Sequence, residues 1–170
     1  MRIAVSNDHA GFSLKPAVVA AVRRLGHDVI DVGTETDAPV DFPVMTRRVT
    51  DLVGSGAAER GLLVCGTGVG AAIAANKVPG IRAAVIHDSY VARQGVEHDD
   101  VNVACLGAWV VGLRIAEDAI AAFLGAEFST DPDCRRRVAQ LAEMERAAAR
   151  RSTEHSVSAG GAADGTARHG

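Results

Sequence analysis

The chain is poor in aromatic residues: one Trp, one Tyr and four Phe make up 4% of 170 residues. Its core must therefore be packed from Ala, Val, Leu and Ile, which the 48% apolar content supplies for one compact domain. Cysteine is scarce too. Cys65, Cys105 and Cys134 stand far apart with no CxxC pair, which argues against a disulfide framework or a zinc knuckle and fits a reducing cytoplasm. The net charge of −3, with no basic arm, excludes a nucleic-acid partner. No apolar run reaches the ~20 residues of a membrane span. The opening MRIAVSND is too short in apolar residues for a signal peptide. No internal repeat is visible.

What is present is an alternation of short apolar runs and helical patterns. Strands are expected at RIAVS (Arg2–Ser6), HDVIDVG, GLLVCG, IRAAVIH and VNVACLG. The first helix is SLKPAVVAAVRRLG, with Leu14, Val18, Ala21 and Val22 on one face, Pro16 in its first turn and Gly26 as its stop. PVMTRRVTDLVGSG, GAAIAANKV, Ser89–Glu97 and GLRIAEDAIAAFLG follow, the last with Ile115, Ala119 and Ala122 as its apolar stripe. A final helix, DPDCRRRVAQLAEMERAAAR, takes Asp131 or Asp133 as its cap. Five strands that each lead into a helix predict an α/β fold: a doubly wound, Rossmann-like, five-stranded parallel sheet with helices on both faces in a single domain. The domain is expected over 1–150. From Arg151 to Gly170, Gly, Ala and Ser dominate without periodicity, which predicts a disordered tail.

Ligands of open parallel sheets bind at the carboxyl ends of the strands. There the sequence offers Asn7, Asp8 and His9, then GTETDAPVDFP, then CGTGVG, then HDSY. EHDDVN, with His98, is expected at the same rim. The loop Cys65–Gly70 has three readings. Gly66-x-Gly68-x-x-Ala71 with Asp88 fits a loose dinucleotide fingerprint, although it follows the third strand and leaves little chain for a catalytic domain. A cysteine phosphatase would need an arginine where Ala71 stands, which excludes it. The third reading is an anion hole beside a reactive thiol: backbone N–H groups at a helix start favour negative charge and lower a thiol's pKa. Cys65 would then move a proton while the N–H groups of Gly66 to Gly70 hold an oxyanion, as in shifting a carbonyl between adjacent carbons through an enediolate.

SNDHAGFSLK, DFP at Asp41–Pro43, VCGTGVGAAIAANKVPGIRAA and HDDVNVACLG together resemble the ribose-5-phosphate isomerase B and galactose-6-phosphate isomerase family, from Met1 to about Ala149. The resemblance implies a cofactor-free, metal-free aldose–ketose isomerase of a small sugar phosphate. It also implies a homodimer or homotetramer whose active sites are shared between subunits. On the matching positions, Cys65 is the implied catalytic base and Thr67 its neighbour at the substrate oxygens. Gly66, Gly68 and Gly70 form the anion hole. Asp8 and His9 bind the sugar and its phosphate, and Arg137 binds the phosphate. His98 opens the sugar ring from the neighbouring subunit, with Asn102 ordering its loop. Asp99 stands where asparagine is usual. Phe42 replaces a common tyrosine, and Trp109 and Asp133 occupy places where relatives carry phosphate-binding arginines. Arg135 and Arg136 could compensate by shifting the last helix; otherwise the pocket suits a shorter sugar phosphate, such as a tetrulose phosphate, or an unphosphorylated sugar.

Taken singly, these residues also have structural readings. Cys65 could be an inert core thiol, the reading kept for Cys105 and Cys134. His27 and His87 are read as structural, and Arg135–Arg137 as a solvated helix face of which only Arg137 has a role in the resemblance.

Overall fold

The computed structural model describes residues 1–161. β1 (Arg2–Asn7), β2 (Asp28–Asp31), β3 (Arg60–Cys65), β4 (Ala83–Val85) and β5 (Val103–Gly107) form one sheet in the order β2-β1-β3-β5-β4. Every neighbouring pair is parallel. The expected doubly wound sheet is therefore present. Its central strands β1, β3 and β5 are almost wholly buried, whereas β2 and the three-residue β4 are half-covered edges.

The connecting helices are α1 (Lys15–Arg24), α2 (Phe42–Gly54), α3 (Val69–Ala75) and α4 (Ser89–Asp99), and α5 (Leu113–Gly125) follows β5. Local signals set their ends. Pro16 occupies the first turn of α1, and Gly26 and Gly56 take positive φ just beyond α1 and α2. α4 starts where the Asp88 carboxylate accepts the Val91 N–H at 2.8 Å. α3 stops short of the expected Val78 because the Asn76 side chain bonds both the N–H and the carbonyl of Ala83, turning the chain into β4.

Alternation along the strands sorts the core into two layers. Ile3, Val5, Leu62, Val64 and Leu106 meet α1, α4 and α5, through Val18, Val22, Val96, Ile120 and Phe123. Ala4, Leu63, Val103 and Cys105 meet α2 and α3, through Val49, Ala71 and Ala75. The helices change face where the strand order reverses, as right-handed crossovers require. The stripe of α5 lies one residue on from the expected one: Ala116, Ala119, Ile120 and Phe123 are buried, and Ile115 is exposed. Phe123 is the largest fully buried side chain, and a residue of that kind contributes roughly 1.5–3 kcal/mol by burial.

The sheet and its five helices form one compact unit, Met1–Thr130; a second unit begins at Asp131. It holds α6 (Pro132–Gly161), at whose start Asp131 Oδ1 accepts the Asp133 N–H at 2.7 Å. Of the two candidate caps, Asp131 takes the role. α6 continues past Arg151, where the expected tail was to begin; the remainder of that tail, 162–170 with His169, lies outside the described residues.

Candidate active site

β1 has β2 on one side and β3 on the other, so the carboxyl ends of β1 and β3 flank a topological switch point. Asp8 follows β1 and Cys65 ends β3. The Asp8 N–H donates to the Val64 carbonyl at 3.1 Å, stitching the two ends together. The Asp8 carboxylate accepts the Gly11 N–H at 2.9 Å, and Asn7 Nδ2 donates to the Asp8 carbonyl at 2.9 Å. Gly11 cannot carry a side chain here, because a Cβ would stand 2.1 Å from the Val64 oxygen. Asp8 is thus buried and fixed.

Cys65 is half-buried at this point. Its thiol pKa is pushed above the ordinary value, first by burial and then by the Asp8 carboxylate, which accepts the thiol's hydrogen bond and repels a thiolate. The N–H groups of Gly68 and Gly66, aimed at the sulfur, pull the other way and do not prevail. This corrects the expected sign. The loop amides act as anticipated, but desolvation and a carboxylate from another strand outweigh them. Cys105 lies on the same layer, and burial pushes its thiol far up, consistent with an inert core residue.

The turn after β5 braces the glycine loop. The Cys65 and Gly66 carbonyls accept the N–H groups of Ala108 (2.8 Å) and Trp109 (3.0 Å). Gly107 packs so closely on Thr67 that a Cβ would meet its backbone at 2.7 Å. His87 Nε2 accepts the Gly107 N–H at 3.1 Å, which gives that histidine a supporting role. Gly68 takes φ +79° as the cap of α3. The Thr67 hydroxyl is exposed and accepts the Val69 N–H at 3.4 Å. Gly70 falls inside α3, with its Cα face toward the Phe42 ring. Trp109 is 74% exposed and covers Gly66.

Asp8, Cys65, Phe42 and Met45 enclose a void of about 10 Å³, the size of one water. Met45 also borders an open cavity of about 470 Å³ lined by His9, Asp41 and Arg48. His9 Nδ1 accepts the Val40 N–H at 3.3 Å. Asp41 belongs to the DFP motif but carried no assigned role, and Arg48, on the polar side of α2, gave no signal of its own in the sequence.

The structure does not bring His98, Asp99 and Asn102 to this rim. α4 runs antiparallel to the strands, so its last turn returns to their amino ends. β5 alone, five residues at about 3.3 Å each, separates the two rims by about 16 Å. The expectation that EHDDVN shares the rim of Cys65 is corrected on this ground. His98 is exposed, with Nδ1 3.3 Å from Gln94 Nε2, and Asp99 is exposed beside it. Asn102 is spent on architecture: its Oδ1 accepts the Arg82 N–H at 2.8 Å and its Nδ2 donates to the Gly80 carbonyl at 2.9 Å. Arg137 belongs to the second unit, 3.7 Å from the Asp133 carboxylate, which also pairs with Arg136. Asp88, the ribose acid of the dinucleotide reading, is used as the α4 cap, so that reading loses its second residue. Among the described residues, no group of three or more His, Cys, Asp or Glu could hold a metal ion.

The sequence model of the Ribose/Galactose Isomerase family matches residues 3–141. The chain is 43% identical over 127 residues to ribose-5-phosphate isomerase B of Escherichia coli, covering 75% of this chain and 85% of that protein. It is 40% identical over 132 residues to D-erythrulose-4-phosphate isomerase 2 of Mycolicibacterium smegmatis, covering 75% and 86%. The solved structure of ribose-5-phosphate isomerase B from Clostridium thermocellum superposes with a TM-score of 0.83 at 44% identity, covering 86% of this chain and 98% of that one.

Proposed function

The chain belongs to the ribose/galactose isomerase family and is an aldose–ketose isomerase; from that premise we propose that it interconverts a small aldose phosphate and its ketose phosphate, with Cys65 carrying the proton. The observation that supports this most directly is the sulfur at the switch point, faced by the Asp8 carboxylate and by the N–H groups of Gly66 and Gly68. Asp8 takes up the thiol proton as the thiolate forms, and the two amides steady the thiolate. The sulfur removes the C2 proton of the open-chain aldose. The C2–H electron pair becomes the C1–C2 double bond, and the carbonyl pair moves to O1. The O2 proton passes to O1 beside the Thr67 hydroxyl, and the sulfur returns its proton to C1. No step calls for a cofactor.

His98 enters from a second copy of the chain. It stands at the amino end of its own sheet, and the Cys65 rim is flanked by exposed apolar side chains suited to a contact: Val69, Ile73, Trp109, Val110 and Leu113. We therefore propose at least a homodimer with shared sites, in which Asp99 neighbours His98, Asn102 orders the loop behind it, and Arg137 contributes a phosphate contact. Asp8 and His9 hold the sugar. Three unpaired thiols favour the cytoplasm, and no helix among the described residues is long and apolar enough to cross a membrane.

The test is turnover in D2O. The wild-type protein should place solvent deuterium on the carbon next to the carbonyl during isomerisation of a tetrose or pentose phosphate. Cys65→Ala should lose both exchange and turnover, by about 10²–10⁴-fold for removal of a general base. A folded Cys65→Ala protein with full exchange would refute the assignment.

A further inference from the structure

We propose that Arg48 is the specificity-determining cation of this enzyme, gripping the terminal phosphate of the substrate in the cavity it shares with His9. This rests on the isomerase reading above. The family resemblance leaves Arg137 to bind phosphate and implies two further arginines where this chain has Trp109 and Asp133, so part of a dianion's charge is to be met elsewhere. The cavity of about 470 Å³ has the size of a small-ligand site, and Met45 lines both it and the void beside Cys65, so it adjoins the surroundings of the sulfur and is the space we assign to the far end of a substrate. Arg48 is the cation on its wall. One of its nitrogens donates to the Val32 carbonyl at 3.2 Å, which anchors the guanidinium. Among the described residues it forms no ion pair, so its other donors are available to an anion. His9 lies on the same wall; its Nδ1 accepts the Val40 N–H, which leaves Nε2 to face a ligand. Asp41, on the same wall, is an acceptor for sugar hydroxyls. The division of labour is then charge from Arg48, a hydrogen bond from His9 and hydroxyl recognition by Asp41.

Arg48→Gln, Arg48→Lys and, as a charge control, Arg47→Gln separate this role from a structural one. Arg47 is the neighbouring helix-face arginine; it pairs with Asp51 and does not line the cavity. Arg48→Gln should raise KM for tetrose and pentose phosphates, and Ki for inorganic phosphate, by roughly tenfold or more, because a charge-assisted contact is lost. kcat should change far less, and free sugars should be unaffected. Arg48→Lys should recover part of the loss, and Arg47→Gln should match the wild type. Unchanged KM and Ki in Arg48→Gln, or equal losses for phosphorylated and free sugars, would overturn the proposal. If the wild-type protein isomerises no sugar phosphate, the functional reading fails. Calorimetric titration of inorganic phosphate into wild type and Arg48→Gln then decides the Arg48 site alone: weakened binding sustains it and equal binding ends it.

Discussion

The two ends of the sheet carry similar residues and use them in opposite ways. At the amino end, polar groups are spent on the fold. Asn102 ties β4 to β5, Arg82 pairs with Asp100, and Arg60 reaches the carbonyls of Phe123 and Ala126 and lies over the Phe123 ring. At the carboxyl end, Asp8, Cys65 and the amides of Gly66 and Gly68 converge on one sulfur instead. The difference follows from parallel topology. Helix N-termini and glycine turns gather at the carboxyl ends and leave donors without helical partners, whereas the amino ends receive helix C-termini whose residues close against the strand starts. His98, by contrast, is exposed at the amino end, and the homodimer proposed above would give it a use.

The sharpest way to break this comparison is to separate the two ends genetically. Cys65→Ala and His98→Ala should each be nearly inactive. Mixed by subunit exchange, they should regain about a quarter of the wild-type rate, because half the dimers carry one site with both residues intact. No recovery, with exchange verified by mass, would mean that each chain works alone.

Next in size is Gly11→Ala at the carboxyl end. Its methyl would collide with the Val64 carbonyl, so we expect a loss of about 2–3 kcal/mol by denaturant titration and a loss of turnover as Asp8 is displaced from Cys65. Arg60→Met, at the amino end, should cost about 1–3 kcal/mol of stability while leaving kcat/KM unchanged. A catalytic defect there would erase the distinction between the ends.

The smallest effect is a shift along the pH axis. The Cys65 thiol sits above the ordinary value because of burial and Asp8, so the rate of its alkylation by iodoacetamide should climb only on the alkaline side. Asp8→Asn removes the carboxylate but leaves the burial, so the thiol pKa falls and the alkylation profile moves to lower pH. A profile that stays in place, or moves upward, would show that Asp8 does not face the sulfur in solution.

Much of this was legible in the chain itself. Pro16 and Gly26 act on their own neighbours, so the ends of α1 could be read locally, and the unbroken apolar run of Leu62, Leu63 and Val64 marks a central strand buried on both faces. α5 was misread by one position, because Ile115 and Ala116 suit the same helix and only the packed sheet selects between them. The Cys65 loop, its place after β3 and its amide donors were readable for the same local reason.

The sequence by itself determined the order of strands and helices and put a cysteine at the head of a glycine turn, because backbone preference and hydrophobic alternation act over a few residues. Tertiary structure alone decided that Asp8 meets Cys65, that the thiol is raised and not lowered, that His98 stands at the far rim and that Arg48 borders the cavity. Charge, desolvation and reach depend on which distant segments are brought together, and no single stretch of chain contains that.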